Sequence, residues 1–209
     1  MRYFDIECLA FSIWNYPVSY IELLGTLFGL VSVWYASRAN ILTWPTGIIN
    51  ELCLFFLFFQ VQLYADMFLQ LYFFVVTLYG WYSWNTKTAS MAISNSTLKL
   101  RMVVIILVIA GSLFSGFIIK DIHYYLPQYF KVQAAYPYTD SFVMVASIFA
   151  TILLSRKKIE SWYLWIMVDL VCVFIYYQKG IYFLALEYLI FLGLAIYGLY
   201  YWRKQLRNG

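Results

Sequence analysis

Seven stretches of this chain, near residues 19–37, 44–62, 66–84, 99–119, 138–155, 160–178 and 180–202, are apolar enough to cross a bilayer, and little sequence is left over. A crossing helix needs about 20 mostly apolar residues, so each stretch has the right length. Connections such as "QVQLYAD" and "YYQKGIY" leave no room for a soluble domain, and the longest polar stretches are 85–98 and 120–137. Of 209 residues, 64% are hydrophobic, 22% aromatic and only 11% charged, too few charges to cover a soluble surface of this size. The expectation is an all-α membrane protein with seven transmembrane helices. The first 17 residues, "MRYFDIECLAFSIWNYP", carry acids where a signal peptide carries bases and lack its apolar run. They read as a retained interfacial segment.

Charge placement orients the chain. Arg38, Lys87, Lys99, Arg101, Arg156, Lys157, Lys158, Arg203, Lys204 and Arg207 fall on one side, against Arg2, Lys120, Lys131 and Lys179 on the other. Basic residues resist translocation, which predicts an outside N-terminus and a cytoplasmic C-terminus. The net charge of +4 is scattered, without a basic tract interleaved with aromatics, so nucleic acid is not an expected partner. Cys8, Cys53 and Cys172 share no motif and read as free thiols; no metal or cofactor site is expected.

The chain repeats itself at an offset of 118 residues. Trp44 matches Trp162, Ile48 Ile166, Leu52 Leu170, Phe56 Phe174, Gln60 Gln178 and Tyr64 Tyr182, all at four-residue spacing along one helix ridge. The same offset, without a gap, pairs Glu51 with Asp169, Glu22 with Asp140, "YGWYSW" at 79–84 with "YGLYYW" at 197–202, and Ser37-Arg38 with Ser155-Arg156. Two units of three spans, 18–84 and 138–202, point the same way only if the unmatched fourth helix between them, within 85–137, restores the direction. The result is a 3+1+3 parallel repeat about an axis along the membrane normal, flanked by the segment 1–17 and the tail 203–209. Such repeats are common in small transporters, whose site lies near the midplane between the halves. A repeat that serves structure without transport is the alternative.

Polar residues inside spans are costly and should face a partner or a wet cavity. Asn50, Glu51, Gln60, Gln70, Asp169 and Glu187 all lie in repeated helices, and the fourth helix has none at its centre. At 100° per residue, Trp162, Trp165 and Asp169 share one face of span six. Gln60 and Tyr64 are neighbours, and Tyr182 and Glu187 lie broadly together. Tryptophan faces with an acid suit a flat delocalised cation, and amides suit a carboxamide and sugar hydroxyls. Each has a plainer reading: tryptophans near span ends anchor at the interface, and Glu51 and Asp169 can hydrogen-bond neighbouring helices. Pro45, Gly47 and Gly180 are gate or hinge candidates together with Glu51, although proline in a first helical turn is ordinary capping.

"GIIN" at 47–50, "FFQVQLYADMFLQ" at 58–70, "YGWYSW", "ESWYLW" at 160–165 and "KGIYFLALEY" at 179–188 closely resemble the PnuC family of bacterial vitamin transporters, over nearly the whole chain from Glu22 to Trp202. The resemblance implies a fold like that of the SWEET sugar transporters, a homotrimer in the bacterial inner membrane, and uptake of nicotinamide riboside by facilitated diffusion. A cytoplasmic kinase would trap the product. It also places the family's tryptophan pair on Trp162 and Trp165 and its amides on Asn50, Gln60 and Gln70. Relatives that differ at these positions could carry riboflavin or thiamine. Two units rocking about the substrate would give alternating access, and no coupling-ion site is readable.

An enzyme would need a nucleophile with a base, or a metal set. The single histidine, His123, reads as a surface residue, and HExxH, GxSxG and Gly-rich phosphate loops do not occur. A receptor that binds without transporting is the other rival, disfavoured by the duplication around polar positions. "NST" at 95–97 matches a glycosylation acceptor but falls on the expected cytoplasmic side.

Overall fold

Each apolar span folds as a helix. The computed structural model describes residues 5–13, 16–60, 64–86, 92–128 and 133–208. The helices are α1 (Tyr20–Ser37), α2 (Thr43–Gln60), α3 (Tyr64–Thr86), α4 (Leu98–Tyr125), α5 (Pro137–Ser155), α6 (Glu160–Gln178) and α7 (Tyr182–Asn208). The last, "RKQLRN", continues past the apolar run because its residues are mostly strong helix formers. Among the described residues, α1, α4, α5, α6 and α7 are long and apolar enough to cross a membrane. The helices α2 and α3, which carry Asn50, Glu51, Gln60, Gln70 and Thr77, fall outside that set.

The seven helices agree with the all-α expectation, and a short hairpin in the N-terminal segment adds to it. Strands β1 (Leu9–Ile13) and β2 (Tyr16–Ser19) form an antiparallel hairpin with Phe11 opposite Val18 and Ile13 opposite Tyr16. Leu9, Phe11 and Ile13 alternate with smaller residues, a period of two that suits a strand in a run too short for a stable helix. The hairpin is anchored on α1. Val18 is buried, the Cys8 carbonyl accepts from the Tyr20 N–H (3.1 Å), and Ser19 caps α1 by accepting from the Glu22 N–H (3.3 Å).

Neighbours in sequence pack together, α1 with α2, α2 with α3, α4 with α5, α5 with α6 and α6 with α7. The broadest packing between distant elements among the described residues joins α1 with α7 and α3 with α5. Residues 118 apart meet matching surroundings at the end that carries Arg38, Arg101, Arg156, Lys158 and Arg203, here called the basic end. Trp44 meets Trp84 edge-to-face at 5.1 Å and 88°, and Trp162 meets Trp202 at 5.6 Å and 86°. Gly80 lies directly under Trp44; Gly198 lies under Trp162, where an added Cβ would sit 2.7 Å from the indole. Only hydrogen fits at either glycine. The turns after α1 and α5 also match, with Ala39 at φ 53° and Lys157 at φ 49°. Trp44, Trp84, Trp162 and Trp202 belong to one buried cluster with Ala36, Leu154, Ile159 and Ala195.

The basic end holds a second fastening. Glu160 accepts from the Ser96 N–H (3.0 Å) and hydroxyl (2.8 Å) and pairs with Arg101 (2.8 Å). Ser94 exchanges backbone hydrogen bonds with Lys157 and Ile159, both 3.1 Å. Thr97 caps α4 by accepting from the Leu100 N–H (3.3 Å), so the "NST" residues start this helix and tie it to the α5–α6 turn.

Candidate functional site

The polar residues of α2 are positioned by glycines on its neighbour. Gly25 and Gly29 let α1 approach closely. Asn50 donates to the Gly25 carbonyl (2.8 Å), and a Cβ on Gly29 would come within 3.0 Å of the same amide nitrogen. One turn toward the basic end, Gly47 faces Ser32 and Thr77, and Ser32 and Thr43 bond each other's carbonyls (2.8 and 2.9 Å). Glu51 is buried and accepts from the Thr77 hydroxyl at 2.5 Å, so an acid on α2 is held by α3.

Span six presents a different acid. Asp169 is 4% exposed, and no hydrogen bond to its carboxylate occurs among the described residues. It stands one turn from Trp165, which is partly buried against both hydrophobic clusters. One turn beyond Asp169, Cys172 meets the Tyr188 hydroxyl of α7, and Tyr188 stacks on Tyr176 (5.3 Å, 13°) and contacts Phe191 edge-on (6.1 Å). Phe191 reaches Gly29 beside Asn50. Glu187 faces the Thr26 hydroxyl of α1. An amide, aromatic faces and two acids therefore converge from α1, α2, α6 and α7.

Other expected residues lie elsewhere. Trp162 is 1% exposed, sealed between Gly198 and Trp202, with its indole N–H unpartnered among the described residues. Gln60 accepts from the Ile6 N–H (2.9 Å) and donates to the Phe56 carbonyl (3.2 Å), which ties it to the N-terminal segment. Tyr182 is 52% exposed and contacts Tyr177 in an outward groove, whereas Glu187 points to α1; five helical positions turn a side chain by roughly 140°, so the two do not share a face. Gln70 is buried on α3. Tyr64 opens α3, and its side chain lies outside the described residues. Pro45 sits in the first turn of α2, and Gly180, at φ 72°, ends α6 in a turn that L-residues disfavour.

Comparison with known proteins places this architecture. The family model described as nicotinamide mononucleotide transporter matches residues 19–204. The chain belongs to that family. It is a membrane transporter and not an enzyme. The nicotinamide riboside transporter PnuC of Escherichia coli (strain K12) is 32% identical over 93% of this chain and 89% of its own length. The riboflavin/roseoflavin transporter RibM of Streptomyces davaonensis is 25% identical over 95% and 92%. A crystal structure of the vitamin B3 transporter PnuC superposes with a TM-score of 0.68 at 20% identity, covering 90% of this chain and 83% of that one. Thr26, Tyr176, Tyr188 and Phe191 line this candidate site, and sequence reading misses them. One signal points to Tyr188: it stands 118 residues after Gln70.

Proposed function

We propose that this transporter carries nicotinamide riboside into bacteria by facilitated diffusion across the inner membrane. The carrying observation is the Asp169 carboxylate, buried one turn from Trp165 and free of a hydrogen-bonding partner among the described residues. The carboxylates Glu51, Asp169 and Glu187 lie within the spans, and no lysine or arginine lies in the middle of one. Such an interior favours the pyridinium cation of the riboside; the phosphate of the mononucleotide would call for arginine or lysine. In this reading Trp165, Asp169, Asn50, Gln70 and Glu187 contact substrate, and Tyr176 and Tyr188 add aromatic faces. Trp162 braces the helix that carries Trp165. Gln60, Tyr64 and Tyr182 border the outer mouth, with Glu51, Pro45, Gly47 and Gly180 as moving parts.

The proposed architecture is a parallel 3+1+3 repeat, α1–α3 and α5–α7 joined by α4. Its support is the exchange of contacts, α1 with α7 and α3 with α5, together with the matched tryptophan and glycine pairs. The basic end would face the cytoplasm, leaving the N-terminus outside. A kinase there would keep the gradient inward. Three copies would assemble, using surface such as the outward face of α4, where Ile105, Ile109 and Phe117 are exposed.

Purified protein in liposomes should pass labelled nicotinamide riboside in both directions without an ion gradient, and excess riboflavin should compete weakly. Strict dependence on sodium or protons overturns the uniport, and preferential riboflavin flux moves the chain to the chemistry of the RibM relative.

A further inference from the structure

Packing accounts for the rings of Trp84 and Trp202 but not for what their N–H groups do. Trp84, on α3, donates to the Ser155 carbonyl at the end of α5 (3.0 Å). Trp202, on α7, donates to the Ala36 carbonyl near the end of α1 (3.2 Å). Both rings are 0% exposed. Last-turn carbonyls have no donor four residues on and carry the negative end of the helix dipole, which favours a further donor; the Ala36 carbonyl also accepts from the Ala39 N–H (2.9 Å). Each bond runs from the third helix of one three-helix group to the first helix of the other. Among the described residues no other hydrogen bond joins α3 to α5. The equivalent residues Trp44 and Trp162 make no such reach; their N–H groups are buried without partners among the described residues.

From this crossed pair we infer that Trp84 and Trp202 latch the basic end shut, and that both indoles release their carbonyls each time solute passes there. The inference rests on the proposed carrier reading, in which two three-helix groups rock against each other. The pair is not equal. The Lys157 ammonium lies 4.7 Å from the Trp84 ring centroid, whereas the matching turn beside the Trp202 bond carries Ala39. Lys157 is itself buried, at 6% exposure, so its attraction to the ring is little screened. Trp84 is therefore the stronger latch and releases second.

Accessibility of a thiol behind the latch tests this. Ser147, two turns inward from Ser155 on α5, is buried and nearly isosteric with cysteine. The reporter is Ser147→Cys in the full chain with Cys8, Cys53 and Cys172 replaced by alanine, reconstituted and first checked for riboside transport. A membrane-impermeant thiol reagent is added on the basic side. Trp84→Phe and Trp202→Phe, which keep the ring and remove the donor, should each raise the labelling rate about fivefold, the scale of one net hydrogen bond. Lys157→Met should raise it further in the Trp202→Phe background, and by less in the Trp84→Phe background, where only the weaker attraction of a phenyl ring for the ammonium is left to lose. If both tryptophan variants fail to give a monodisperse protein, Lys157→Met alone decides, with about a twofold rise expected. Unchanged labelling in folded variants of a transporting protein overturns the latch and leaves the carrier reading standing; a wild-type chain that passes no riboside overturns the carrier reading and the latch with it.

Discussion

The two three-helix groups match at their tryptophans and differ around their acids. Glu51 has Thr77 bonded to it, with Gly47 and Ser32 one turn away. Exactly 118 positions on, those four places hold Asp169, Ala195, Trp165 and Ala150. Small residues and a large one have changed places: Gly47 faces two hydroxyl residues, whereas Trp165 stands at the matching position and the two hydroxyl positions hold alanines that are 1% and 0% exposed. The first group spends its acid on holding α2 to α3. The second keeps an acid without a hydroxyl partner beside an indole. On the proposed reading, the matched helices α2 and α6 therefore differ in their use of an acid: one bonds it to a neighbouring helix, the other turns it to the substrate.

Substitutions at matched positions break or sharpen this contrast. The largest effect belongs to the glycines beneath the indoles: Gly80→Ala and Gly198→Ala should each cost about 3 kcal/mol of stability, because a Cβ at either meets a ring that cannot retreat. Thermal unfolding in detergent measures both, and a large inequality would end the equivalence of the two halves. Next, Thr77→Val should cost about 2 kcal/mol, since Glu51 loses the one donor it has among the described residues while staying buried. Asp169→Asn breaks no hydrogen bond among the described residues, so stability should hold while affinity for nicotinamide riboside falls about tenfold, equivalent to 1.4 kcal/mol, in a titration of purified protein. Equal affinity would return Asp169 to a structural role. The smallest change is Ala195→Thr, which offers Asp169 the hydroxyl that Glu51 enjoys and should weaken riboside binding about threefold by occupying the carboxylate.

Span length and offset are legible in a single sequence because both are properties of residue order: apolar runs mark the helices, and "YGWYSW" and "YGLYYW" align without a gap. Faces are legible only halfway. Helical arithmetic correctly gathers Trp162, Trp165 and Asp169 along one side of α6, yet it cannot say that this side divides between a sealed contact with Trp202 and a more open one at Trp165. The bond from Ile6 to Gln60 spans 54 residues, and no periodicity announces it. Tyr176, Tyr188 and Phe191 hide among 21 tyrosines and 18 phenylalanines, where aromatic identity carries little information. The hairpin escapes because its alternation is brief and its residues suit a membrane interface equally well.

The buried indole pairs have an optical consequence. Trp84, Trp162 and Trp202 sit out of reach of both water and lipid, whereas Trp34 and Trp81 are each 39% exposed on the outer surface of the helices. Brominated acyl chains will quench the second set and spare the first. The light that survives comes mainly from the buried cluster where α1, α3, α5 and α7 meet, so the proposed rocking can be followed by intrinsic fluorescence with no dye attached.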